Sequence, residues 1–307
     1  MADRKVNMET ADDVPFRSGY VAIVGRPNVG KSTLLNGLLG EKVAIVSPRP
    51  QTTRNRITGI RTTAHAQVVF LDTPGIHQAH SLMNRRMVEV ALQTLHEVDG
   101  VLWLLDAHER IRHQDEHIAE LLRGVRTPVF VLLNKIDLVA KGKLLPMMQR
   151  CSELLPGKEI VPVSALNGDN LPLLFDLIEK NLPEGPRFFP GDEITDQSEV
   201  FLAAEIIREK VFNLTREEIP YGVAVTIDAF TEKTEKPLIV LQATIHTERE
   251  SHKPILIGKH GAMLKEIGKQ ARLELEGLLG CKVFMELFVR VDKNWTQRPH
   301  TLTEMGV

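Results

Sequence analysis

The stretch Gly25-Arg26-Pro27-Asn28-Val29-Gly30-Lys31-Ser32-Thr33 constrains this chain more than any other. It fits G-x-x-x-x-G-K-[ST] and directly follows the apolar run Tyr20 to Val24. A strand that runs into a glycine-rich loop and then a helix aims successive backbone N–H groups and a helix N-terminus at one point, where an anion is stabilised. The glycines are needed because a Cβ would block the approach of a phosphate to the backbone. Gly25, Asn28, Val29, Gly30 and Thr33 are therefore expected to cradle phosphates. Lys31 is expected to reach the β- and γ-phosphates, and Ser32 to ligate Mg²⁺.

Beyond the loop, Ser47-Pro48-Arg49-Pro50-Gln51-Thr52-Thr53-Arg54 carries two prolines that exclude regular structure. Either Thr52 or Thr53 is then a candidate second hydroxyl ligand for Mg²⁺, with Thr53 the one assigned. Asn55 to Thr62 and Gln67 to Leu71 read as strands joined by a turn at Ala64-His65. The second leads into Asp72-Thr73-Pro74-Gly75. A carboxylate at Asp72, at the end of a strand beside the phosphate loop, is placed to hold Mg²⁺ through water. The N–H of Gly75 can bond a γ-phosphate only while that phosphate exists, so the loop after it is a natural switch.

Val101 to Leu105 and Val129 to Leu133 are unbroken apolar runs separated by helix-length segments, the pattern of parallel strands buried on both faces. The second run ends in Asn134-Lys135-Ile136-Asp137. A carboxylate at Asp137 accepts both N1–H and N2–H of guanine, whereas adenine would leave it desolvated and unpaired. This selects GTP over ATP and counts against an ATP-using metabolic enzyme. Ile160 to Val163 ends in Ser164-Ala165-Leu166, placed to present a backbone N–H to the base. His113 and His117 have a zinc-compatible spacing, but Gln114 stands where a metalloprotease carries glutamate, so an exposed polar helix face is expected.

The formal net charge of -2 announces no nucleic-acid or membrane partner, so any such partner must be argued from a local patch. The cysteines Cys151 and Cys281 lie in no metal or redox spacing, which fits a reducing cytoplasm. No stretch approaches 18 apolar residues, so no transmembrane segment is expected. Residues 1–18 read as a disordered tail, 19–181 as a first domain and 182–197, rich in proline and glycine, as a linker. Residues 198–292 read as a second domain of order α-β-β-α-α-β, and 293–307 as a C-terminal tail. Within the second domain, Gly258-Lys259-His260-Gly261 sits between two helices, with Lys253, Lys265, Lys269 and Arg272 around it. Glycines there let a nucleic-acid backbone approach, and the basic residues attract it.

Taken in order, Gly25 to Thr33, Thr52-Thr53, Asp72 to Gly75, Asn134 to Asp137 and Ser164 to Leu166 resemble Ras-like GTPases of the translation-factor class. With Gly258 to Gly261, Pro50 to Arg54 and Glu205-Ile206-Ile207-Arg208-Glu209-Lys210, the chain is similar to the Era-like GTPases of bacteria. The resemblance implies an α/β P-loop GTPase domain with a mostly parallel sheet, followed by an α+β KH domain. It implies GTP/GDP and Mg²⁺ as ligands, and a KH module that binds the 3′ end of small-subunit (16S) ribosomal RNA through Gly258, Lys259, His260, Gly261, Lys265 and Lys269. It further implies a role in rRNA processing and 30S maturation by a cytoplasmic monomer that sometimes contacts the inner membrane peripherally. Where Ras has a water-orienting glutamine, this chain has Ile76, which implies slow hydrolysis. In related GTPases an asparagine at the position of Asn28 helps hold a stimulating K⁺. The implied catalytic set is Lys31, Thr53, Gly75 and Asn28. An alternative is an RNA-binding assembly factor whose nucleotide is mainly structural.

Overall fold

In the computed structural model, which describes residues 15–47, 49, 51–77, 81–233 and 235–306, the apolar runs of the first half become neighbouring strands of one sheet. β1 (Arg17–Gly25) lies between β3 (Ala66–Asp72) and β4 (Gly100–Asp106), with β5 (Val129–Asn134) and β6 (Glu159–Pro162) beyond. These strands are parallel, while β2 (Ile57–Thr62) turns back antiparallel on β3.

Side chains alternate across the sheet, so both faces can be apolar only if every position is. Val21, Ile23, Leu102, Leu104 and Leu132 enter one layer with Leu34 and Leu38 of α1 (Lys31–Leu39) and Leu174 and Ile178 of α5 (Leu171–Asn181). Ala22, Val24, Trp103, Leu105 and Val131 enter the other. There they meet Ala91 of α2 (Leu82–Thr94), Ile118 and Leu122 of α3 (His113–Arg123), and Leu154 of α4 (Leu144–Leu154). The register sets Ile23 beside Asp72 and Asp106 beside Asn134. The loops that follow these strands therefore open along one carboxyl edge, where open α/β sheets bind ligands.

The second half runs α6 (Glu199–Leu214), β7 (Val223–Lys233), β8 (Leu238–Thr247), α7 (His252–Ile257), α8 (Ala262–Leu279) and β9 (Lys282–Val291), which is the expected α-β-β-α-α-β order. Its sheet pairs β7 antiparallel and β9 parallel with β8. Ile207 and Val211 of α6 and Ile267, Ala271 and Leu275 of α8 cover Leu241, Ala243 and Ile245.

Four expectations about the chain's layout change. Residues 1–14 of the N-terminal tail lie outside the described residues, but Arg17 and Ser18 already belong to β1. Ser18 N donates to Pro183 O at 3.1 Å, which draws the strand start along the beginning of the linker. The linker itself is pinned to the first domain: Gln67 Oε1 accepts from the N–H groups of Phe188 and Phe189, and the Phe188 ring stacks on Tyr20 at 5.2 Å. The segment 293–307, expected as a tail, folds back instead. It forms α9 (Pro299–Glu304) and buries Trp295 and Leu302 against Met83 and Met87 of α2 and Ala224 of β7. Strand β2 begins at Ile57 rather than Asn55, because Arg54 and Asn55 are drawn into contacts with the second half.

Candidate nucleotide and nucleic-acid sites

The phosphate loop joins β1 to α1 as the spacing requires. At Gly30 the backbone has φ 100°, and a Cβ there would lie 2.3 Å from Asn134 Nδ2, so only glycine fits. Asn134 uses that closeness: its Nδ2 donates to Val29 O at 2.8 Å, and its Oδ1 accepts from Ala165 N at 2.9 Å. One side chain thus fixes the phosphate loop relative to the 164–166 loop.

Lys31 is buried, and its Nζ donates to Gly25 O at 3.3 Å and Arg26 O at 3.0 Å. Burial pushes its pKa down to about 8, with the Asp72 charge opposing the shift. An arriving polyphosphate would compensate that buried cation.

Beside it, the structure brings Ser32, Thr53 and Asp72 together. Ser32 Oγ donates to Asp72 Oδ2 at 2.6 Å and lies 2.9 Å from Thr53 Oγ1, which also donates to Asp72 Oδ2 at 3.2 Å. Burial raises the Asp72 pKa, and Lys31 opposes this most. Asp72 Oδ1 is buried with no hydrogen-bond partner among the described residues. Two hydroxyls and an under-satisfied carboxylate form an all-oxygen donor set that fits Mg²⁺. The Thr52 hydroxyl points elsewhere, donating to Arg49 O at 3.0 Å.

Gly75 runs against the phosphate loop: an added Cβ would meet Pro27 N at 2.6 Å. Ile76 N donates to Gly25 O at 3.1 Å, and its side chain is buried in the apolar layer. Two residues that sequence reasoning did not single out stand here. His77 Nδ1 lies 2.7 Å from Gly75 O, and its Nε2 lies 3.4 Å from Gln51 Nε2. Both line the cavity of about 760 Å³ that Asn28, Lys31, Ser32, Thr53, Gly75 and Lys135 also line. Arg26, likewise unflagged, is locked under the loop by Asp115 at 2.7 Å and Glu109 at 3.0 Å. An arginine inside a phosphate loop, with one acid before α3 and one in its first turn, was the available signal.

Asp137, Ser164, Ala165 and Leu166 lie outside that lining, at its rim. Asp137 is exposed, and its Oδ1 accepts from Ser164 Oγ at 2.6 Å, leaving carboxylate lone pairs free for a base edge. Leu166 is 77% exposed, available to cover a ring. Lys135, at φ 66°, crosses between the loops and donates to Asn28 O at 2.8 Å and Asp106 Oδ2 at 2.6 Å.

The second site lies between α7 and α8. Gly258 (φ 73°) would place a Cβ 2.7 Å from Met263 N, so the turn needs glycine. Gly261 (φ 79°) has nothing within 4 Å of its hypothetical Cβ, and that open space admits a phosphate. Lys259, His260, Lys265 and Lys269 are exposed, and the three lysines make no ion pair among the described residues. His113 and His117 are exposed as expected, and no group of residues suited to a transition metal occurs among the described ones.

Comparison with known proteins matches both halves. A family model described as a 50S ribosome-binding GTPase matches residues 20–135, and a KH-domain model matches residues 218–296. GTPase Era of Geobacter metallireducens is 54% identical over 294 residues, covering 96% of this chain and 99% of the relative. That of Syntrophus aciditrophicus is 53% identical over 293 residues, covering 95% and 96%. A solved Era in complex with MgGDPNP and nucleotides 1506–1542 of 16S ribosomal RNA superposes with a TM-score of 0.91 at 46% identity, over 95% of this chain and 99% of that one. An Aquifex aeolicus Era variant bound to GDP and AlF4⁻ superposes at 0.92 with the same identity and coverage. With a phosphate loop and a Gly-x-x-Gly module in one chain, and relatives matched over nearly their whole length, the chain belongs to the Era family of GTPases.

Proposed function

We propose that the protein is a GTP-hydrolysing switch that binds the 3′ region of small-subunit ribosomal RNA through its KH domain and acts in 30S assembly. The observation that carries this is the single sheet edge shared by the Lys31 loop, the Ser32–Thr53–Asp72 cluster and Asp137, in a chain that also presents Gly258 to Gly261. The relative solved with 16S nucleotides supports the choice of RNA.

Within the first domain, Lys31 and the loop N–H groups hold the β- and γ-phosphates, and Gly75 N–H senses the γ-phosphate. Ser32, Thr53 and Asp72 would hold Mg²⁺, which neutralises charge as the terminal phosphate leaves. Asp137 reads guanine from the rim.

Ile76 leaves the attacking water without a side-chain partner at that position, so intrinsic turnover is slow. Asn28, at φ 65° in the phosphate loop, is the residue assigned to a K⁺ site. Hydrolysis is expected to rise roughly tenfold or more when Na⁺ is replaced by K⁺. Asn28→Ala should abolish that response. Equal rates in the two salts, or a K⁺ response that survives the substitution, would remove this assignment.

On the RNA side, Gly261→Asp, whose Cβ would enter open space, places a carboxylate where a phosphate would lie. RNA binding should weaken by about tenfold or more, measured by filter binding with a 16S 3′-end oligonucleotide. Unchanged binding would overturn the placing of RNA on this loop. No helix among the described residues is long and apolar enough to cross a membrane. We place the protein in the cytoplasm as a monomer, with any contact to the inner membrane peripheral.

A further inference from the structure

Thr53 reaches into the nucleotide cavity, yet the chain on both sides of it is held by the other domain. Arg54, the next residue, turns away and buries its guanidinium in the KH half, where it is 4% exposed. Its Nη1 donates to Val223 O at 2.6 Å, and its Nη2 donates to Tyr221 O at 3.0 Å and Pro220 O at 3.3 Å. The rings of Phe212 and Trp295 lie 5.9 and 5.7 Å from its Cζ. From the opposite direction, Arg208 of α6 sends Nη2 to Thr52 O at 2.6 Å, the carbonyl of the peptide that precedes Thr53. Glu205 aims that guanidinium through bonds of 2.7 and 2.6 Å.

Further along the same loop, Val46 N donates to Glu209 Oε1 at 3.0 Å, and Arg49 Nη1 donates to Phe212 O. Lys42 pairs with Glu209 at 2.7 Å and Glu274 at 2.6 Å. Arg208 and Glu209 of α6 thus face the first domain, and among the described residues the Thr53 side chain is held to that domain through its hydroxyl.

Stability alone does not explain this arrangement. Arg54 faces neutral carbonyls, its Nε has no partner among the described residues, and neither has Arg208 Nη1. Burial, aided by the nearby Arg208 charge, pushes the Arg54 pKa down to about 9. Apolar side chains of the same volume would hold two domains together at least as well as desolvated cations do. What two guanidinium forks supply is direction: each fixes a particular peptide of the loop against a particular place on the KH half.

We propose that Arg54 and Arg208 are positioning residues for the nucleotide site, making the seating of Thr53 on its divalent cation and the docking of the KH half on this loop mutually dependent. The proposal rests on the reading of Thr53 as a Mg²⁺ ligand. Adjacent Cα atoms are only about 3.8 Å apart, so a displacement of Thr53 pulls on both forks. Linkage then works in both directions: nucleotide state alters how the KH half sits, and RNA on the KH half alters affinity for the γ-phosphate by the same factor, typically about 5–150-fold.

The test uses the full chain and fluorescent mant-GDPNP and mant-GDP, with Mg²⁺ titrated, in the presence and absence of a 16S 3′-end oligonucleotide. Arg54→Lys, which keeps the charge and loses the fork, should raise the Mg²⁺ concentration needed for tight mant-GDPNP binding by about tenfold. Arg208→Gln, on the other domain, should do the same, and the double variant should be no worse than either alone. The effect of RNA on mant-GDPNP affinity should disappear in all three, while mant-GDP affinity in the absence of RNA stays near wild type.

An unaltered Mg²⁺ requirement with the RNA effect intact would overturn the proposal, as would additive defects. Thr53→Ala separates the two levels. If it too leaves the Mg²⁺ requirement unaltered, the ligand reading falls and the positioning role with it; if it alone raises the requirement, only the positioning role of Arg54 and Arg208 falls. Should Arg54→Lys fail to fold, Arg208→Gln carries the same comparison.

Discussion

Asp137→Asn is expected to lower GTP affinity by about two to four orders of magnitude and to turn preference toward xanthosine triphosphate. On the proposed reading the carboxylate accepts two N–H bonds from guanine, each charged hydrogen bond contributing about 1.5–3 kcal/mol. An amide in its place can accept one and sets its NH₂ against the guanine 2-amino group, whereas xanthine carries a carbonyl there. The geometry favours a clean effect. Asp137 is exposed, so its replacement leaves the fold intact, and Ser164 Oγ holds one carboxylate oxygen at 2.6 Å. Asn134 braces the same rim through Val29 O and Ala165 N. Competition binding with the two triphosphates reads the outcome, and an unchanged preference for guanine would show that the base is read elsewhere.

Trp295→Ala should cost about 3–5 kcal/mol of stability, the usual range for emptying a buried aromatic site. The indole is fully buried among Met83, Met87, Ala224 and Leu302, and its Nε1 donates to Gly222 O at 3.0 Å. Because this cluster lies between α2 of the first domain and β7 of the second, the loss should loosen their junction as well as the C-terminal segment. Trp295→Phe, which keeps most of the bulk and loses the hydrogen bond, should cost about 1 kcal/mol. Urea unfolding followed by far-ultraviolet circular dichroism distinguishes the two, and a cost below about 1 kcal/mol for the alanine variant would mean that the segment is not anchored as described.

That segment also shows where the sequence stops speaking. Strands buried on both faces announce themselves, because Val101 to Leu105 and Val129 to Leu133 admit no polar position. The nucleotide loops follow because each motif must sit at a strand's carboxyl end. Trp295 and Leu302 carry no such periodicity: α9 is short, and what makes it fold is a surface on α2 and β7 that exists only once both domains have formed. Local pattern cannot encode a contact of that kind. Arg54 and Arg208 were hidden for a related reason. A charged residue beside a loop threonine, or in mid-helix, reads as solvated until the other domain is seen around it. Three consecutive charges, Arg208-Glu209-Lys210, on a helix with apolar neighbours on every side were the available hint, since a helix has no such width of solvent-facing surface to spare.

On this proposal nucleotide state and RNA binding are coupled across the junction of the two domains. The most direct measurement is the affinity of the full-length protein for the 16S 3′-end oligonucleotide in Mg²⁺ with GDP and with GDPNP, at fixed salt. A difference of about fivefold or more between the two states is predicted, together with its loss in Arg208→Gln. Identical affinities in the two states would rule out this coupling and favour an RNA-binding factor whose nucleotide is structural.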